Sequence, residues 1–267
     1  TPLIFFSPQL AYQLSVATYL HVGSTGALLW DIIDNLGNDF RLLYYYKIRL
    51  PTVAYFVTRI SLLGFCLGRA VLLTTPVADC SRLADALNAL LIVYVTSTTG
   101  LFYLRVCAVY NMKRIIIAFF GTTWLAAIAM ILTFSKTFMA TPVENTHFCG
   151  ESIRGHFLGP TSFVLVTNDV LIYLAIAYRI HEMFLASDTS VRRRFNVLAF
   201  GTSLPVLSKA LLQDSQSYFL VVLITKGFLA ISAYTFGAPL NVMFIVCHLV
   251  LVNILSCRVY RNIKLGL

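Results

Sequence analysis

Seven apolar stretches, each bounded by charged or turn-forming residues, divide this chain at 10–33, 50–73, 83–110, 115–135, 160–178, 217–236 and 239–255. Each is close to the roughly 20 residues a helix needs to cross the hydrocarbon core of a bilayer. Backbone polar groups in that core must be satisfied within the protein, and isolated apolar stretches of this length do so as α-helices. Hydrophobic residues make up 58% of the 267 and charged residues 12%, about half the charged share of an ordinary soluble domain. Mean hydropathy is +0.81. The expected fold class is an all-α integral membrane protein: a seven-transmembrane-helix bundle forming one domain over residues 1–267.

One further segment, 196–212, is moderately apolar but short, and Pro205 and Lys209 interrupt it. Charge decides whether it spans. With seven spans and the N-terminus outside, the inner loops and tail hold Arg41, Lys47, Arg49, Lys113, Arg114, Arg192, Arg193, Arg194, Lys209, Arg258, Arg261 and Lys264. The outer loops then hold Arg82, Lys136 and Arg154. An eighth span would carry the C-terminal cations outside and break the positive-inside rule. The expected topology is N-terminus outside and C-terminus cytosolic, with the extra segment lying amphipathically on the inner leaflet. The same asymmetry accounts for the net charge of +9. Cationic inner loops face anionic lipid, so membrane lipid is an expected partner and nucleic-acid binding is not needed to explain the charge. The chain starts at Thr1 without a charged n-region, so no cleavable signal peptide is expected, and it reads as the ordered part of a longer protein.

The six cysteines divide by location. Cys66, Cys107, Cys247 and Cys257 fall in helices or at the inner boundary, where thiols behave as small hydrophobes. Cys80, just before the third span, and Cys149, between the fourth and fifth, share the outer, oxidising side. A bridge between them would tie the longest outer loop across the bundle mouth. His147, Glu151 and His156 in that loop match no strong zinc spacing and read as solvated residues; no metal and no cofactor is expected.

The outer cysteine pair and the topology look like those of G-protein-coupled receptors, yet the receptor signatures are mostly missing. The third span ends LFYLRVCAVYNMKR, with Arg105 but no acidic residue before it. The sixth span lacks a Trp-x-Pro pivot, and the seventh, PLNVMFIVCHLVLVNILSCRVY, has no Asn-Pro-x-x-Tyr ending. Four stretches, LLWDIIDNLGNDFRLLYYYKIRLPTVAYFVTRIS, LRVCAVYNMKR, LLQDSQSYFL and LSCRVYRNIKLG, resemble the uncharacterised seven-helix membrane proteins of basidiomycete fungi. That resemblance implies a fungal, receptor-like protein, and it sharpens fold and topology more than ligand or reaction.

An ionisable side chain near the bilayer centre costs at least about 2.5–3.5 kcal/mol, so it should face the bundle interior. His21, Arg59, Asp169, Lys226 and His248 lie at similar predicted depth. Helical spacing places Thr52, Tyr55, Arg59, Cys66 and Arg69 on one face of the second span, aligns Ser162, Asp169 and Tyr173 on the fifth, and sets Asn241 one heptad above His248 on the seventh. These faces can converge on one polar, ligand-binding cavity. With Arg59 and Lys226 as cations and Asp169 as the one anion, that layer carries a surplus positive charge, to be answered by an anionic ligand, by water or by a neutral Lys226. The structural alternatives are that Arg59 reaches Asp31 and Asp34 at the inner end of the first span, and that each histidine bonds a nearby backbone or hydroxyl. The small-residue run TSTTG at 96–100 reads as close helix packing.

On the inner side, Arg105 with Arg192, Arg193 and Arg194 would contact a cytosolic signalling partner if the protein is a receptor, or simply set topology. Cys257, before Arg258, is a candidate palmitoylation site. Three functions compete. The first is an orphan plasma-membrane receptor for a small, anionic or amphipathic molecule. The second is an oligomeric, anion-selecting channel. The third is an embedded enzyme resembling small seven-helix terpene cyclases, with Asp169 as proton donor, which the two neighbouring cations weaken. The Asp-rich, His-Glu-x-x-His and Gly-x-Ser-x-Gly motifs of common enzyme sites are all missing. A retinal protein is disfavoured because Lys226 falls in the sixth span.

Overall fold

Ser7 opens the first helix, α1 (Pro8–Asp34), by accepting the Leu10 N–H at 3.4 Å, and Pro8 stands in the first turn, where its missing N–H costs nothing. The computed structural model describes residues 7–133, 135, 138–142, 148–153, 158–184, 206–235 and 243–265. After α1 come a short α2 (Leu36–Tyr44), α3 (Leu50–Thr74), α4 (Cys80–Val109) and α5 (Arg114–Ile131). A hairpin of β1 (Phe138–Pro142) and β2 (Cys149–Ile153) follows, then α6 (Leu158–Phe184), α7 (Val206–Thr235) and α8 (Ile245–Leu265). Asp79 caps α4 by accepting the Arg82 N–H at 3.1 Å. The tight turn from α4 to α5 places Asn111 and Met112 at φ 51° and 56°, a region asparagine tolerates and methionine enters only under strain.

The long helices close a ring in chain order: α1 on α3, α3 on α4, α4 on α5, α5 on α6, α6 on α7, α7 on α8, and α8 back on α1. α4 also crosses to α6 and β1, and α8 reaches α3. The most extensive pairing is α3 with α4. Gly64 and Gly68 explain it: a Cβ at Gly68 would stand 2.6 Å from Leu87 Cδ2, and one at Gly64 3.3 Å from Leu90 Cδ1. Two glycines four apart let helix backbones approach closely, a packing mode common in membranes. One core cluster, built around Leu62, Phe65, Leu87, Leu91 and Tyr94, fills the end near the hairpin. A second, with Phe102, Val106, Ile172, Phe219 and Val252, fills the space between α4, α6, α7 and α8.

Each of the seven apolar stretches overlaps a long helix. Four helical segments, Leu50–Thr74, Cys80–Val109, Arg114–Ile131 and Gly159–Arg179, are long and apolar enough by themselves to cross a membrane, and Ser217–Ser232 is a shorter apolar helix. α1 is more polar because it carries Ser15, Thr18, Ser24 and Thr25, but each hydroxyl donates to the carbonyl four residues back, which removes it as a free polar group. The surface is the reverse of a soluble protein's. Trp30, Ile60, Leu125, Phe163 and Ile224 are exposed, while Asp169, Arg59, Arg261 and Asn253 are buried. This is a helical membrane protein.

Two expectations change here. Of the segment 196–212, residues 206–212 begin α7 and run without a break to Thr235; the part before 206 lies outside the described residues. Cys257 is 1% exposed and packs with Tyr55 and Leu42, so its thiol faces the protein interior and is not presented for lipidation.

Candidate functional site

The hairpin roofs one end of the ring. Cys80 and Cys149 form a disulfide with a Cα–Cα distance of 5.7 Å, and the other four cysteines are free thiols. Asn88 of α4 donates to the Phe138 carbonyl at 2.8 Å, and Phe138 thereby closes the top of a cavity of about 110 Å3 between α4, α6, α7 and α8. Thr98, Phe102, Leu165, Leu229 and Leu249 give it mostly apolar walls, and Tyr94, Asp169, Lys226 and His248 are the charged or titratable groups in them.

Asp169 is 0% exposed and its carboxylate is ion-paired with the Lys226 ammonium, joining α6 to α7. Asn168, the residue before it, donates to the other carboxylate oxygen at 3.5 Å. His248 Nδ1 lies 2.9 Å from Thr225 Oγ1. The Thr225 hydroxyl also lies 2.9 Å from the Val221 carbonyl and 3.1 Å from the Val222 carbonyl, so the imidazole is held at Nδ1 by a side chain itself anchored to the backbone of α7. Tyr94 donates to the Leu249 carbonyl at 2.7 Å, fixing α4 to α8 beside the cavity. The run at 96–100 serves both packing and lining: Gly100 lies against Trp124, Trp124 Nε1 donates to Thr99 Oγ1 at 3.2 Å, and Thr98 and Thr99 face the cavity.

The single polar layer expected from counted depth is divided in the structure. His21 is buried between α1 and α3, its Nε2 2.9 Å from the Cys66 carbonyl oxygen. Arg59 belongs to a cluster at the opposite end from the hairpin, where its guanidinium is paired with Asp31 of α1 and Asp39 of α2. Asn241 and Arg192, Arg193 and Arg194 lie outside the described residues, as do His147 and His156. Depth along a helix misleads for arginine because a long side chain carries its charge back toward the helix start. The surplus cation disappears with the division: Lys226 is answered by Asp169, and Arg59 by Asp31, the partner expected at the inner end of the first span, together with Asp39, a loop residue in the sequence reading.

The Arg59 cluster contains residues that sequence reasoning missed. Tyr55 is its hub. The hydroxyl donates to Asp39 at 2.5 Å and accepts from Arg59 at 3.2 Å and from Arg261 of α8 at 3.1 Å. Arg261 also reaches Asp31 at 3.4 Å. Thr52 and Tyr260 share a 2.7 Å hydrogen bond alongside. Two carboxylates and two guanidiniums balance, and together they clamp α1, α2, α3 and α8. The alignment of Thr52, Tyr55 and Arg59 on one face was the available signal; nothing in the spacing marked Asp39 or Arg261 as interior.

Arg105 lines a second cavity of about 480 Å3 toward the clamp end, with Tyr218, Leu255, Ser256 and Tyr260. Phe102 stands in the walls of both cavities and packs edge-on against Phe219, with ring centroids 4.8 Å apart. No family sequence model matches the chain, and no curated protein is detectably similar to it.

Proposed function

We propose that this protein is a seven-span receptor of the plasma membrane, N-terminus outside and C-terminus in the cytosol, related to the fungal seven-helix proteins its sequence resembles. Its ligand is a small molecule held in the cavity beneath the hairpin. The observation that carries this reading is an apolar cavity with one neutral ion pair, Asp169–Lys226, and one histidine in its wall. A volume of about 110 Å3 is somewhat below the roughly 150 Å3 that accommodates benzene in an engineered apolar cavity. The fit is therefore to a compact, uncharged molecule of about six heavy atoms with one hydrogen-bonding group, the amphipathic one of the two ligand classes expected from the sequence. The orientation is supported by the cations of the α2–α3 link, the α4–α5 turn and the end of α8, all at the end opposite the disulfide.

Thermal unfolding in nanodiscs with added cyclopentanol tests the site. Cyclopentanol should raise the midpoint of the wild type and change hydrogen exchange in the turn 110–113, while the cavity-filling Thr98→Phe variant should show neither response. Equal stabilisation of both proteins, or of neither, would reject the site. Steady conductance in a planar bilayer without ligand would favour a channel instead.

A further inference from the structure

At the clamp end, α2, the link from α2 to α3 and the last turn of α8 bring four cations, Arg41, Lys47, Arg49 and Lys264, to one surface. Arg41 lies one turn before Tyr45, whose N–H donates to the Arg41 carbonyl at 3.0 Å. Lys47 and Arg49 follow in the link, both exposed. Lys264 of α8 stands over the Tyr46 ring, its Nζ 5.7 Å from the centroid. Arg49 is fixed as well, because its carbonyl accepts the Thr52 and Val53 N–H groups that open α3, at 2.8 and 3.1 Å. Among the described residues, none of the four is ion-paired with a carboxylate. The carboxylates folded into this end, Asp31 and Asp39, are taken by Arg59 and Arg261. The exposed Asp34 stands before the start of α2, at least about 12 Å of helical rise from Tyr44.

The depth of that surface is set by α2. Leu36, Phe40, Leu43 and Tyr44 recur at helical spacing and are exposed on one face, while Asp39 and Leu42 are buried on the other. Nine residues are too few to cross a bilayer, so a short helix with an apolar outer stripe lies in the interface, the stripe toward the acyl chains. The link that follows, with Tyr45 84% exposed and Tyr46 beside it, then meets the layer of lipid phosphates, where aromatic and cationic side chains settle together. Charge selects the occupant. A headgroup with one net negative charge would leave three of the four cations unanswered. Each phosphate monoester carries about −1.5 to −2 at neutral pH. A headgroup with two monoesters besides its diester therefore brings about −4 to −5, and answers all four cations from one molecule. Arginine and lysine both bind phosphate oxygens, one as a fork and the other as a point charge.

We infer that Arg41, the α2–α3 link and Lys264 form a binding site for a polyphosphorylated inositol lipid of the cytoplasmic leaflet. The inference rests on the proposed topology and not on the cavity beneath the hairpin. The test uses the whole protein in phosphatidylcholine nanodiscs carrying a fluorescent phosphatidylinositol bisphosphate, with binding read by energy transfer. A nanodisc offers lipid to both faces, so the result does not depend on orientation in the cell. Unlabelled phosphatidylinositol bisphosphate should displace the probe, and phosphatidylserine at equal total charge should compete about tenfold less well, since each of its molecules answers a single cation. Lys47→Gln, Arg49→Gln and Lys264→Gln should each weaken binding about fivefold, the weight of one cation near an anionic surface. Lys113→Gln combined with Arg114→Gln, in the α4–α5 turn at the same end, should leave it unchanged. Equal competition by phosphatidylserine, an equal loss in the turn variant, unchanged binding in the other three, or equally strong displacement by soluble inositol trisphosphate would overturn the assignment. The cyclopentanol response of the cavity should be unchanged in Lys47→Gln, so the two proposals stand or fall separately.

Discussion

The Tyr55 hydroxyl donates to the Asp39 carboxylate at 2.5 Å, and this one contact ties the short α2 to the core of the bundle. Because the same oxygen accepts from Arg59 and Arg261, α2, α3 and α8 meet at one atom.

Tyr55→Phe should therefore destabilise the protein by about 1–3 kcal/mol, since it strands two guanidinium donors and one carboxylate site while preserving ring volume. Hydrogen exchange across α2 should accelerate more than exchange in α5. An unfolding midpoint equal to wild type would mean that the clamp holds without its hub.

Asp169→Asn should cost about 3–5 kcal/mol despite its near-identical volume, because it leaves the Lys226 ammonium unpaired inside the bundle. Combining it with Lys226→Met should restore part of the loss. A double-mutant cycle on unfolding in detergent measures the coupling, and simple additivity of the two changes would show that the pair is not interacting.

Gly68→Leu should separate α3 from α4 and lower stability by about 1–3 kcal/mol through overpacking against Leu87. Gly26→Leu on α1 is the control, since a Cβ at that position would meet nothing within 4 Å. Similar midpoints for the two variants would contradict the close approach.

How far the sequence revealed these features depended on which physical signal each one leaves. Apolar length marked every long helix, because solvent acts on a whole stretch at once. The cysteine pair was legible because only Cys80 and Cys149 share one side. Periodicity exposed the inward faces of α3 and α6. The partners of those faces were not legible: Asp39 and Arg261 sit among the loop and tail charges, and the chain order says nothing of which of these fold back into the bundle. The division of the polar layer followed from that gap. Gly64 and Gly68 were readable as a four-residue spacing and were missed amid the stronger apolar pattern.

Phe102 stands between the two hollows of the bundle, shared by both walls. Its ring, braced by Phe219, stands where the two spaces adjoin. Any change in the volume of residue 102 therefore acts on both spaces at once.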